Sequence, residues 1–152
     1  MEVRSSADLR ALIVAEALSW RGTPYHHQQS TKGVGCDCLG LVRGIWRALY
    51  GAEPARAPNY SRDWAESKGE ETLRAACEAF LRPVTAEETH AGDVLLFRMT
   101  PRAVAKHLGV LIAPGRMVHA FEGSGVIEQS VQEFITRRRH VRIVSAYAFP
   151  GV

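Results

Sequence analysis

Residues 33–50 read GVGCDCLGLVRGIWRALY, a glycine-containing approach followed by a run too uniformly apolar for a surface helix. From Cys38 onward, Leu39, Leu41, Val42, Ile45, Trp46, Leu49 and Tyr50 cover most of a helical circumference. Only Arg43 and Arg47, four apart, leave a polar stripe. The pattern predicts a buried helix that opens at Cys38 and stops at Gly51. Gly40 and Gly44 lie inside it, and each costs about 1 kcal/mol relative to alanine, so another backbone is expected to pass close to that face.

Working outward, Leu9, Leu12, Ile13, Ala17 and Trp20 share one helical face, with Ser5 or Ser6 as cap and Gly22 and Pro24 as stop. Residues 24–37 mix Tyr, His, Gln, Ser, Thr and Gly without a period and read as a loop delivering the chain to Cys38. A third helical stretch ends near Leu81, with Leu73, Ala76, Cys77 and Phe80 on one face and Gly69 as a point of division. Beyond Pro83 the pattern turns to short β-type runs at 94–97, 108–112, 117–121, 126–127 and 141–149. Helices first and strands later predict an α+β fold with an antiparallel meander, and residues 1–152 read as a single domain.

Composition bounds the class and not the activity. Hydrophobic residues are 46% and charged residues 23%, which excludes disorder, collagen and disulfide scaffolds. Nineteen Lys and Arg against 16 Asp and Glu leave +3, much of it in Arg137, Arg138, Arg139 and Arg142, a mild excess that reads as a solvated basic face rather than a nucleic-acid site. Three cysteines, two of them Cys36 and Cys38, form no disulfide framework and leave at least one free thiol. Charges at Arg4, Asp8, Arg10 and Glu16 interrupt any apolar core of an export signal, and no run of about 18 apolar residues is present to span a membrane. The expectation is a protein made in the cytoplasm.

Cys38 is where the chemistry concentrates. In the first turn of a helix, unpaired backbone N–H groups and the positive dipole end favour thiolate, lowering a cysteine from its usual value of about 8.5. The same N–H groups, that of Cys38 included, face the position of an oxyanion on an attacked carbonyl. His107 opens one β-type run and His119 lies on the next. Side chains alternate along strands, so the two rings share a face only if paired residue numbers sum to an even value, which calls for an odd-length loop such as 114–116. With a shared face, His119 orients His107 as base; a two-residue loop breaks this arrangement.

The fragments Gly22-Thr-Pro-Tyr25, Gly35-Cys-Asp-Cys38-Leu-Gly-Leu-Val42, Gly92-Asp-Val-Leu-Leu-Phe97, His107-Leu-Gly-Val110 and Val118-His-Ala120 together resemble the NlpC family of papain-like cell-wall cysteine peptidases. The resemblance implies a papain-like fold, with Cys38 as nucleophile, His107 as base and His119 as third member. It implies peptidoglycan stem peptides as substrate, cut between γ-D-glutamyl and the diamino acid, with no cofactor. It also implies that Tyr25 and Asp37 line a pocket for a free substrate amine. Asp37 has two compatible roles here, capping the Cys38 helix and pairing an ammonium group.

Leu39, commonly serine in such proteins, and Lys106, often a small polar residue, depart from the pattern and bear on substrate preference. Cys36, Cys38, His26 and His27 do not have the paired spacing of a zinc site, so no metal is expected, and Cys36 reads as packing or as a resolving thiol. The wording of residues 25–43 is most similar to the phage-type branch, which implies tail proteins as partners and action at the wall or periplasm from a virion-like particle. Two other readings stand beside hydrolysis: a thiol acyltransferase or amidase on another substrate, and a non-catalytic tail or wall-binding module.

Overall fold

The computed structural model describes residues 5–55 and 71–152. Helix α1 (Ser6–Ser19) begins at Ser5, whose hydroxyl accepts the Asp8 N–H at 3.1 Å. Its buried line is Ile13, Ala17 and the following Trp20, with Leu9 packed alongside, while Leu12 is turned outward, 37% exposed. The face is therefore narrower than the sequence pattern suggested.

The approach to Cys38 holds more structure than its lack of period implied. Strands β1 (Ser30–Thr31) and β2 (Gly35–Cys36) form a small antiparallel hairpin, and Tyr25 bridges Cys36 in parallel. Two-residue strands are too short to show alternation. Gly33, at φ +77°, makes the turn, and its N–H donates to Thr23 Oγ1 at 2.9 Å.

Helix α2 (Cys38–Tyr50) runs as expected. The backbone contact predicted at its glycines is real at Gly40, where an added Cβ would lie 1.9 Å from the Gln29 carbonyl oxygen. At Gly44 the close neighbour is instead the Trp20 ring, laid across from the end of α1. Helix α3 (Thr72–Phe80) buries Leu73 and Cys77 but leaves Phe80 exposed. The expected division at Gly69 lies outside the described residues.

Strands β3 (Arg82–Val84), β4 (Val94–Arg98), β5 (Ala105–Ala113), β6 (Arg116–Phe121), β7 (Gly125–Ser130) and β8 (Arg142–Ala148) form one antiparallel sheet in the order β3-β8-β4-β5-β6-β7. The meander is β4 to β7; β8 returns to the other side of β4. Besides the β1–β2 hairpin, strand β3 and the helix α4 (Val131–Arg137) were not foreseen, and α4 interrupts the helices-then-strands order. A capping signal does precede α4: Ser130 Oγ accepts the Glu133 N–H at 3.2 Å.

The architecture is α+β and papain-like, with α1 and α2 on one sheet face. There Ile13, Leu41 and Ile45 meet Leu96, Leu108, Val110 and Val118. On the other face Phe134 of α4 packs with Leu95, Phe97, Leu111 and Met117.

The β5–β6 register corrects one expectation. Ala113 pairs Arg116 across the two-residue turn Pro114-Gly115, an odd sum that by itself would place His107 and His119 on opposite faces. A bulge between Leu111 and Ala113 absorbs one residue, and Leu111–Met117 and Val110–Val118 then pair with an even sum. The short turn does not separate the histidines, because the bulge undoes its parity.

Candidate active site

The thiol side of the candidate site is built by the backbone around α2. Asp37 is buried, and each of its oxygens accepts a backbone N–H: Oδ1 from Gly40 and Oδ2 from Gln28, both at 2.7 Å. The second bond holds Gln28 at φ +65°, the left-handed region that side-chain-bearing residues seldom enter. Asp37 thus joins the loop to the helix and positions Cys38, its capping role being the one the geometry displays. Tyr25 is half-buried against the core beside Cys36.

Cys38 is 5% exposed, and its thiol donates to the Lys106 carbonyl at 3.7 Å, while the N–H groups of Leu39 and Leu108 reach the sulfur. Helix α2 therefore brings the sulfur to the residues on either side of His107. The other half of the site is a chain of polar side chains. His107 Nε2 lies 2.8 Å from His119 Nδ1, and His119 Nε2 lies 2.9 Å from Gln129 Oε1. An amide oxygen only accepts, so His119 carries its proton on Nε2 and accepts at Nδ1. His107 then donates from Nε2, which leaves its Nδ1 with a lone pair. Rings of Phe97, Phe121 and Phe134 stand 5.4 to 5.8 Å from that of His107 and hold it in one orientation.

The electrostatics differ from the sequence expectation. Burial, and next the Asp37 carboxylate, push the Cys38 thiol upward, outweighing the opposing N–H bonds of Leu108 and Leu39. The helix start does not produce a resting thiolate here, because removal from water costs the anion more than the first turn returns. Burial also holds His107 well below its ordinary value, with His119 and Arg138 adding to the shift. His119 falls to about 4, again through burial, opposed by the Gln129 hydrogen bond and aided by Arg138. Both rings are neutral near pH 7, and the Cys38 thiol is held as the neutral form against the Lys106 carbonyl.

Gln129 and Arg138 were not singled out in the sequence. Nothing local marks Gln129, which reaches His119 only through the β6–β7 register, where Met117 pairs Gln129 and His119 pairs Ile127. Arg138 reads as one of a basic run, yet its guanidinium lies over the rings of Phe121 and Phe134 at 4.3 and 4.8 Å. Cys36 and Cys77 are buried free thiols, each pushed up to about 12 mainly by burial.

The profile of the NlpC/P60 family matches residues 22–145, from the loop before Cys38 into β8. The chain belongs to the NlpC/P60 family. Among NlpC/P60 relatives, the murein DD-endopeptidase MepS/murein LD-carboxypeptidase of Escherichia coli K12 is 28% identical over 135 residues, covering 89% of this chain and 62% of that protein. The bifunctional muramidase/DL-endopeptidase CwlT of Bacillus subtilis is 29% identical over 122 residues, 78% of this chain and 31% of that protein. This chain thus spans under two thirds of the length of these relatives. The crystal structure of the NlpC/p60 domain of the peptidoglycan hydrolase SagA superposes with a TM-score of 0.62 at 25% identity, over 92% of this chain and 98% of that one.

Proposed function

We propose that this NlpC/P60 chain is a cysteine endopeptidase that hydrolyses amide bonds in peptidoglycan stem peptides. The observation that carries the reading is the meeting of a helix-borne thiol with a three-member relay: Cys38 Sγ against the strand residues flanking His107, and His107, His119 and Gln129 in hydrogen-bonded sequence. The peptidoglycan hydrolases among the relatives support the substrate class.

Neutral His107 takes the thiol proton at Nδ1 as Cys38 attacks the carbonyl carbon, so the nucleophile is generated in the reaction rather than stored. His119, fixed by Gln129, keeps Nε2 of His107 protonated and stabilises the imidazolium that forms. In the first turn the Gly40 N–H is taken by Asp37 and that of Leu39 is aimed at sulfur, which leaves the Cys38 N–H for the oxyanion. His107 next protonates the leaving amine, then activates the water that releases the acyl-enzyme.

The finer reading is cleavage between γ-D-glutamyl and the diamino acid. The substrate's free amine sits near Tyr25 and Asp37, and delivery is by a phage-like tail particle. The bond is supported by the relative named as a DL-endopeptidase, and the delivery by the wording of residues 25–43.

Wild-type and Cys38→Ala protein incubated with stem-peptide fragments bearing free N-terminal L-alanine, with products read by mass spectrometry, tests both levels. Cleavage by wild type alone supports the peptidase, and the product masses locate the bond. Binding without cleavage by wild type overturns it.

A further inference from the structure

Next to the relay, sharing Gln129 with it, lies an open pocket of about 430 Å³ lined by Phe121, Ser124, Ile127, Gln129, Arg137 and Arg138. Its polar side chains can all donate. Gln129 has its oxygen committed to His119, so what it has left to offer is its amide nitrogen. Ser124 adds a hydroxyl. Arg137 reaches Glu133 at 3.3 Å, a solvated pair on the helix surface. Arg138 is held by stacking on Phe121 and Phe134, and among the described residues no carboxylate is paired with it.

A half-buried guanidinium fixed on aromatic rings and facing further donors is an arrangement for receiving a carboxylate or phosphate oxygen. We propose that this cavity is an anion-binding site that communicates with the catalytic relay through Gln129. Its ligand is a compact oxyanion, either a carboxylate of the stem peptide or free phosphate.

The coupling is physical. Arg138 is close enough to hold both histidines toward their neutral forms. An anion on Arg138 offsets that field and engages the Gln129 amide, which favours the imidazolium that the reaction generates. The site does not depend on the reaction proposed above, because binding is read without turnover.

The test is a titration of Cys38→Ala protein, ¹³C-labelled at histidine and ¹⁵N-labelled at glutamine, followed by NMR at constant ionic strength. Inorganic phosphate is one probe and a γ-D-glutamyl stem tripeptide the other. Saturable shifts of the His119 ring and Gln129 amide resonances are expected with at least one probe: phosphate alone identifies a free anion, the peptide a substrate carboxylate. Arg138→Gln weakens binding about tenfold, the loss of one charge-assisted contact, and the exposed Arg137→Gln by a smaller factor. Arg137→Gln covers the case in which the Arg138 variant misfolds. Absence of shifts with both probes, or unchanged affinity in both variants, overturns the proposal.

Discussion

The two halves of the site are made in different ways. The thiol half is a contiguous stretch: Asp37 caps the helix, Cys38 opens it, and Gly40 admits the Gln29 carbonyl against its backbone. The histidine half is assembled from three strands, with His107 on β5, His119 on β6 and Gln129 on β7. The first depends on residues at most a dozen apart; the second depends on register, and a single bulge decides it. Damage to the backbone frame of the helix half, as at Gly40, should therefore appear first as lost stability, and damage to the strand half as lost chemistry in a folded protein.

The largest effect that would break this division is at His107, the proposed base. His107→Ala should lower kcat/KM by about 10³-fold, the scale of a removed general base, with the far-ultraviolet circular dichroism unchanged. A variant that keeps its rate shows that the strand half is not catalytic.

Gly40→Ala probes the opposite half. Its Cβ would meet a backbone oxygen that cannot yield without opening the loop, so urea denaturation should show a loss of about 3 kcal/mol. At Gly44 the obstacle is a side chain, the ring of buried Trp20, and Gly44→Ala should cost less because a ring can shift where a carbonyl fixed in the loop cannot. Equal costs would mean that the backbone contact is not what demands glycine.

Gln129 sharpens the comparison, since it reaches the relay only through His119 and acts there by positioning. Gln129→Ala should lower kcat more than it raises KM, by an overall factor of about 10 to 100, the range seen when outer partners of functional histidines are removed. Gln129→Glu places an anion on His119, favours its imidazolium and moves the acid limb of the kcat/KM profile to higher pH. An unmoved limb sinks the relay.

The smallest effect is pH-dependent stability. His119 is held at about 4 in the folded protein against 6.5 ordinarily, so the unfolded chain binds more protons between those values. Unfolding free energy should therefore fall as pH drops from about 6.5 to about 4, with His107 acting in the same direction. For the same reason the acid limb of kcat/KM should lie below pH 6.5. Denaturation curves at pH 7 and pH 5 check the first, and rate profiles the second.

Much of the fold was legible because its signals are local. The period of residues 38–50 marked a buried helix, and the runs after Pro83 marked five of the six sheet strands. Strand β3 and helix α4 escaped: three residues carrying Pro83 show no alternation, and seven helical residues show too little period. The hairpin of residues 30–36 escaped for the same reason.

By itself the sequence determined the helix that begins at Cys38, the alternation that carries His107 and His119, and the α+β class, since each follows from spacing along one segment. Only the tertiary structure decided that the two histidines share a face, that Gln129 completes their chain, and that the thiol rests protonated. Register and burial are properties of segments brought together. A bulge of one residue reverses a face, and removal from water outweighs the field of a helix end, and neither quantity is written in the order of residues along one strand or helix.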